Sequence, residues 1–314
     1  MSERNLTLYE RMMTMSKTLI TSNDPKGRQA TDIFRATYDQ AKLDDERAQR
    51  LNENGGELKT GIAKLIEELS ATNQFAGEEV RSSYSYPKGY SVLALAKQID
   101  ILRKIFNLSL GDTIAFVENV LPKLKLPEGA EGWFAIPSVD AVANRFFPEV
   151  ADPAEKYCWA VDLVLEKLGS SRKFYNYRRG QITPERLQRV ERTAQMLAEI
   201  AKVQTGDILI IPAQFGKRHA GKSVRRAREV FRADEFGFGA FEGGCMLLTH
   251  PEREQLWEQL HMDLLGDKFD DPGNDLRFAL APLFGFSDGQ LEFGMSGFHG
   301  TYERYGSVSG FLPQ

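Results

Sequence analysis

Apolar positions recur at helical spacing through the first third of the chain. Between Arg28 and Asn52 there is no Gly or Pro, and charges of both signs are interspersed as on a solvated helix face. Asn54-Gly55-Gly56 interrupts the pattern, after which Ile62, Leu65, Ile66 and Leu69 form a stripe. Beyond a second break at Tyr86-Pro87-Lys88-Gly89, the spacing of Val92, Leu93, Leu95, Ile99, Leu102 and Ile105 predicts a buried helix. Gly111-Asp112 supplies a stop and a cap for a further one through Val120. Residues 1–121 are expected to form a helical region, a bundle of short helices.

Residues 122–153 differ. Pro122, Pro127, Pro137, Pro148 and Pro153 leave room only for short helices. Trp133, Phe134, Phe146 and Phe147 need somewhere to pack, so the stretch is expected to be an ordered, irregular connection with the domain boundary inside it.

Residues 154–314 read as a second domain. Asp152-Pro153 opens a helix striped by Tyr157, Val161, Val164 and Leu168 and ended by Gly169. Thr183-Pro184-Glu185 opens a second in the same manner, striped by Leu187, Val190, Ala194, Leu197 and Ala201 and closed by Gly206. Asp207 to Ile211 is the clearest strand. Cys245 to Leu248, Phe278 to Phe286 and Gln290 to Phe293 are further strand candidates, the last two joined by the hairpin-type turn Ser287-Asp288-Gly289. Phe236 to Phe241, aromatic and glycine-rich, marks a tight backbone approach within the sheet. No βαβ alternation is sustained. The expected class is therefore α+β: a helical N-terminal region followed by a mixed α/β domain with a small, largely antiparallel sheet.

Composition narrows the function classes. With 314 residues, 42% of them hydrophobic and 27% charged, the chain is an ordinary globular one and not a disordered one. It holds no apolar run of 18 residues, so no membrane span and no membrane partner is expected. Its first residues lack the basic-then-apolar order of a secretory signal. Two cysteines, Cys158 and Cys245, build neither a disulfide framework nor a thiolate zinc site and read as core thiols. The expected compartment is the cytoplasm.

Charge changes the picture more. The net charge is −4, yet residues 170–182 carry Arg172, Lys173, Arg178 and Arg179 with no acid. Residues 216–232 carry Lys217, Arg218, Lys222, Arg225, Arg226, Arg228 and Arg232 against Glu229 alone. A helix from Pro184 to about Val203 spans roughly 30 Å, and a strand from Asp207 to Phe215 runs back about as far. That geometry would bring both basic islands to one end of the domain. The first island interleaves Phe174, Tyr175 and Tyr177 with its cations. Cations for phosphates beside rings for bases are what single-stranded nucleic acid binding uses. The favoured expectation is non-catalytic binding of nucleic acid or another phosphate-bearing polyanion. The competing reading is a solvated, self-paired charge face, or a scaffold docking an acidic protein.

Gly216-Lys217-Arg218-His219-Ala220-Gly221-Lys222-Ser223 also satisfies the G-x-x-x-x-G-K-S pattern. In a P-loop the glycines let backbone N–H groups wrap phosphates, the lysine reaches the terminal phosphates and the serine holds Mg²⁺. An apolar strand does precede it. Against it stand the spacer Pro212 to Phe215 and the lack of a later apolar strand ending in an acid. ATP or GTP with Mg²⁺ is accordingly the alternative ligand, with Gly216, Gly221, Lys222 and Ser223 as its phosphate nest; otherwise no cofactor, no metal and no catalytic residue is expected. Asp267 to Asp275 reads as an exposed acidic turn that either masks the basic surface or holds a cation. His219, His250, His261 and His299 lack metal-site spacing, and Met295-Ser296-Gly297 lacks a nucleophile elbow.

Several stretches carry a resemblance: Gly132 to Pro137, Ile211 to Gly216, Ser223 to Arg228, Cys245 to Arg253, and Tyr305 to Ser307 with Ser309 to Gln314. They resemble an uncharacterised family of bacterial hypothetical proteins with no assigned function, over about residues 130–314. The resemblance implies that this stretch is one unit and brings no functional residue with it.

Overall fold

The protein is seen here as a computed structural model that describes residues 21–70 and 72–313; the first twenty residues of the expected helical region lie outside it. The chain divides into two compact units between Thr72 and Asn73. The smaller unit holds helices α1 (Pro25–Gln40), α2 (Asp45–Glu53) and α3 (Gly55–Ser70). Asp24 caps α1 by accepting from the N–H of Gly27, with Pro25 in the first turn. The unbroken helix expected over 28–52 is two helices. Lys42 takes a left-handed φ of 45°, and Asp44 starts α2 by accepting from Arg47 N–H. Neither α1 nor α2 buries a side chain, and Ile33, Leu65 and Leu69 are exposed.

The larger unit runs α4 (Leu95–Phe106), α5 (Gly111–Asn119), β1 (Gly132–Pro137), α6 (Val139–Phe146), α7 (Pro153–Ser171), β2 (Phe174–Asn176), β3 (Leu187–Arg189), α8 (Glu191–Val203), β4 (Ile208–Gln214) and α9 (Val224–Glu229). It continues with β5 (Glu235–Gly237), α10 (Ala240–Thr249), β6 (His261–Asp263), β7 (Asp267–Phe269), β8 (Leu280–Ser287), β9 (Gln290–Gly297), β10 (Tyr305–Ser307) and β11 (Ser309–Phe311). The α+β class holds, with two sheets in place of one small one. A four-stranded antiparallel sheet has the order β1-β4-β11-β5. A seven-stranded mixed sheet has the order β10-β6-β8-β7-β3, with β9 joining β8 to β2. In it β10 pairs β6, and β2 pairs β9, in parallel. All seven residues of β4 are buried, as its apolar run predicts.

Three expectations change. Residues 122–153 are not irregular throughout, because β1 pairs along its whole length with β4 and so belongs to a sheet. The strand expected at Cys245 to Leu248 lies in helix α10, whose ten residues are all buried. A segment buried on every side has no amphipathic period, so strand and helix look alike in sequence; here a Cβ on Gly244 would fall 2.3 Å from Val164 of α7, a close approach open to glycine. The helix expected from Pro184 starts at Glu191. Leu187–Arg189 is claimed instead by pairing with β7, Leu187 opposite Phe269. This shortens the helix that was to span the domain, so the distance argument for converging islands loses its premise. No helix among the described residues is long and apolar enough to cross a membrane.

Candidate functional site

The second basic island is bonded to the protein itself. Arg225 chelates Glu78 through Nε and Nη2, with Nε–Oε2 at 2.7 Å. Arg226 donates to Glu79 and to Glu229, and Lys222 lies 3.8 Å from Glu79. Arg218 meets Glu235 at 3.1 Å, and Arg232 meets Glu128 at 2.9 Å and Asp234 at 3.5 Å. Arg228 donates to the carbonyls of Leu265 and Asp267 and lies over the Phe298 ring; burial drives its guanidinium down to about 10. Of this island only Lys217 is exposed with no ion pair among the described residues. Glu229, Asp234 and Glu235 are neighbours in the chain, but Glu78, Glu79 and Glu128 lie far away in sequence, where charge reading has no purchase.

The G-x-x-x-x-G-K-S stretch makes no phosphate nest. Gly216 N–H and Arg218 N–H donate to Gln214 Oε1, and Lys217 N–H donates to Tyr86 Oη. His219, Ala220 and Lys222 donate within the loop, Gly221 donates to the Tyr305 carbonyl, and Ser223 donates to the Glu78 carbonyl. Every amide that would face a phosphate already has an acceptor. Ser223 Oγ donates to Glu78 Oε2 at 2.6 Å and caps α9 by accepting from Arg226 N–H, and the residue is buried. The motif is a structural knot holding residues 78–80 against β10.

The first island behaves differently, because it is sorted by the period of a strand. From Arg172 to Arg179 burial alternates: even positions are half-buried and odd positions exposed. Arg172 Nη1 clamps the carbonyls of Pro251, Arg253 and Glu254. Phe174 stands opposite Leu291 on the core side, and Arg178 reaches Asp271 at 2.7 Å. Asp271 belongs to the expected acidic turn, which thus meets this island; its first residue, Asp267, is buried in β7 rather than exposed. The odd positions Lys173, Tyr175, Tyr177 and Arg179 face outward. Lys173 and Arg179 have no ion pair among the described residues, and Tyr175 and Tyr177 are 50% and 56% exposed.

Tyr175 lies in β2, with Lys173 just before the strand and Tyr177 and Arg179 in the turn that follows it, at the rim of the seven-stranded sheet. Tyr175 stands opposite Glu292 of β9, and Tyr177 lies over Gly294, 3.8 Å from where a Cβ would be. The two rings meet edge-on with centroids 4.6 Å apart. Tyr177 Oη donates to Glu292 Oε1 at 3.3 Å. Beside the rings, Ser296 of β9 and Leu283 of β8 are partly exposed and with them form a small platform, bounded where Gly285 of β8 is buried next to Tyr305 and His261. At the β8–β9 turn the surface continues into an open hollow of about 420 Å³ lined by Trp257, Phe286, Ser287, Asp288 and Gly289. Glu292, Asp288 and Trp257 are the residues that sequence reading passed over. The alternation of Lys173, Tyr175, Tyr177 and Arg179 was the signal that would have found the platform itself.

Two buried clusters have chemistry-bearing side chains but no access. Glu235 accepts from Ser309 Oγ at 2.6 Å and meets His219 Nε2 at 2.7 Å. The carboxylate stands between serine and histidine, so the histidine is no base for that serine. Burial acts to raise Glu235, but the bonds from His219 and Ser309 and the charge of Arg218 outweigh it and hold it at about 2. Glu254, at φ 55°, meets His261 Nδ1 at 2.6 Å, and both are fully buried beneath Trp257. Two residues along β6, Asp263 is pushed up to about 7 by burial. Between pH 4 and 7 the unfolded chain releases this proton while the folded protein keeps it, so stability falls as pH rises through that window. Asp263→Asn is expected to match wild type near pH 4 and to exceed it by on the order of 2–3 kcal/mol at pH 8. Urea denaturation at both pH values measures this, and a difference that does not grow with pH contradicts it.

Among protein-family models, curated proteins and solved structures, none matches this chain.

Proposed function

We propose that the protein binds single-stranded nucleic acid, without catalysis, on the outer face of its seven-stranded sheet. Tyr175 and Tyr177 are the stacking surfaces, and Lys173 and Arg179 take the phosphates. The observation that carries this reading is the alternating exposure from Lys173 through β2 into the turn after it, which leaves two packed tyrosines and two cations exposed, the cations without an ion pair among the described residues, while their neighbours anchor inward. A sheet face that offers aromatic rings to unstacked bases and cations to the backbone suits a single strand, whose bases are free to splay. The phosphate-binding role narrows from eleven cations to these two, with Lys217 outside the platform. Arg225, Arg226 and Arg228 serve to hold the fold.

Fluorescence anisotropy with a labelled single strand of mixed sequence tests it. Tyr175→Ala or Tyr177→Ala is expected to weaken binding about tenfold or more each. Lys173→Ala with Arg179→Ala is expected to flatten the log–log salt slope by about 1.4, the value for two phosphate contacts on a single strand. Unchanged affinity in both tyrosine variants overturns the proposal.

A further inference from the structure

Resting on that reading, we infer that the platform selects bases that carry an exocyclic amino group and disfavours thymine and uracil. The reason is a carboxylate where a purely phosphate-binding face would have none. Glu292 stands opposite Tyr175 and accepts from Tyr177 Oη through Oε1. No cation pairs with it among the described residues, although Lys173 and Arg179 stand exposed on either side of β2. Asp288 follows at the hairpin turn, close enough that its charge joins those of Glu292 and Tyr175 in raising the Tyr177 phenol, Glu292 most strongly.

A carboxylate accepts hydrogen bonds and donates none. Beside a phosphate backbone it only repels; beside the edge of a stacked base it rewards a donor. Cytosine N4 presents an NH₂ donor where thymine presents the O4 acceptor. A base stacked on Tyr175 or Tyr177 brings that edge over Glu292. Cytosine then forms a charge-assisted bond through its N4 amino group, whereas thymine has only its ring N3–H to offer and keeps the O4 carbonyl oxygen against the carboxylate, which offsets that bond. Because the pair are both pyrimidines, the stacking surface is nearly the same and the difference reads the edge alone.

The experiment compares labelled oligo(dC) and oligo(dT) of about ten nucleotides at pH 7.5 on wild type and on Glu292→Gln. Gln keeps an acceptor for Tyr177 and, by turning its amide, serves either base. Wild type is expected to bind oligo(dC) about fivefold to tenfold more tightly than oligo(dT), and Glu292→Gln to bring the two within about twofold, chiefly by gaining affinity for oligo(dT). Equal affinities on wild type, or a preference that survives Glu292→Gln, overturn the selectivity and leave the platform intact. Absence of binding to either oligomer overturns the platform itself, and the selectivity with it.

Discussion

Gly221→Ala is expected to lower stability by about 3–5 kcal/mol, seen as a fall in Tm of roughly 10 °C. Gly221 has φ 77°, a conformation L side chains rarely adopt, and an added Cβ would stand 2.0 Å from the carbonyl oxygen of Val80. That carbonyl is backbone and has no rotamer to yield. The strand-like contact around it is also the one that the displaced chain would lose: Val80 N–H donates to the Gly221 carbonyl, Ser223 N–H donates to the Glu78 carbonyl, and Arg225 holds Glu78. In a P-loop the same substitution would act on nucleotide binding, since there the glycine gives room to a phosphate. Here it acts on the fold. A Tm within a degree of wild type would show that residues 78–80 are not held by this loop.

The motif and the islands show which parts of a sequence are legible and why. Local geometry came through. Asp152-Pro153 does open α7, Asp207 to Ile211 does lead into β4, and Ser287-Asp288-Gly289 does turn β8 into β9, with Asp288 and Gly289 both at positive φ. Each is decided by neighbours in the chain. The failures are decided at long range. Leu187–Arg189 follows a plausible helix start, but pairing with β7 claims it as a strand. Arg225 and Arg226 look like free cations until Glu78 and Glu79 arrive from far upstream. Total charge in a window counts cations and says nothing about their direction. In the first island direction was in fact encoded, by the two-residue period of an edge strand, and this is why Lys173 and Tyr175 separate from Arg172 and Phe174.

That distinction also bears on function. A polyanion site built from all eleven cations would need them free, whereas eight have carboxylates or carbonyls of the chain as partners. Desolvating such pairs to serve a ligand means breaking them first. The four outward residues on and beside β2 have no such obligation, so their substitution should leave Tm nearly unchanged while affinity moves. The cations of the second island other than Lys217 should show the opposite.

Arg189→Met is the other substitution with a large expected effect, about 3–5 kcal/mol of stability at pH 8. Arg189 Nη2 lies 2.6 Å from Glu242 Oε1, and its guanidinium covers the Tyr157 ring at 4.1 Å. Tyr157 Oη in turn donates to Asp267 Oδ2 at 2.6 Å. Glu242 and Asp267 are buried. Gly239 N–H donates to Glu242 Oε2 and Ala240 N–H to Asp267 Oδ2, so both carboxylates are held at the start of α10. Arg189 is the cation that bonds directly to a carboxylate of this cluster, whereas the buried Arg228 nearby donates to the Asp267 carbonyl. Even with it present, burial and the charge of Glu242 push Asp267 up to about 6. Without it Asp267 rises further, and a carboxyl raised in the folded state loses stability as pH rises. The penalty should therefore be smaller at pH 5, where protons neutralise the acid, than at pH 8. Methionine fills similar volume, so lost packing contributes little to the difference. Denaturation midpoints at the two pH values decide it. An equal loss at both would mean that the arginine acts here by packing alone. A loss confined to high pH would identify Arg189 as the counter-charge that lets β7 begin on a buried acid, and β7 is the strand whose Phe269 lies under Arg178 and whose pairing with β8 completes the sheet behind the tyrosine platform.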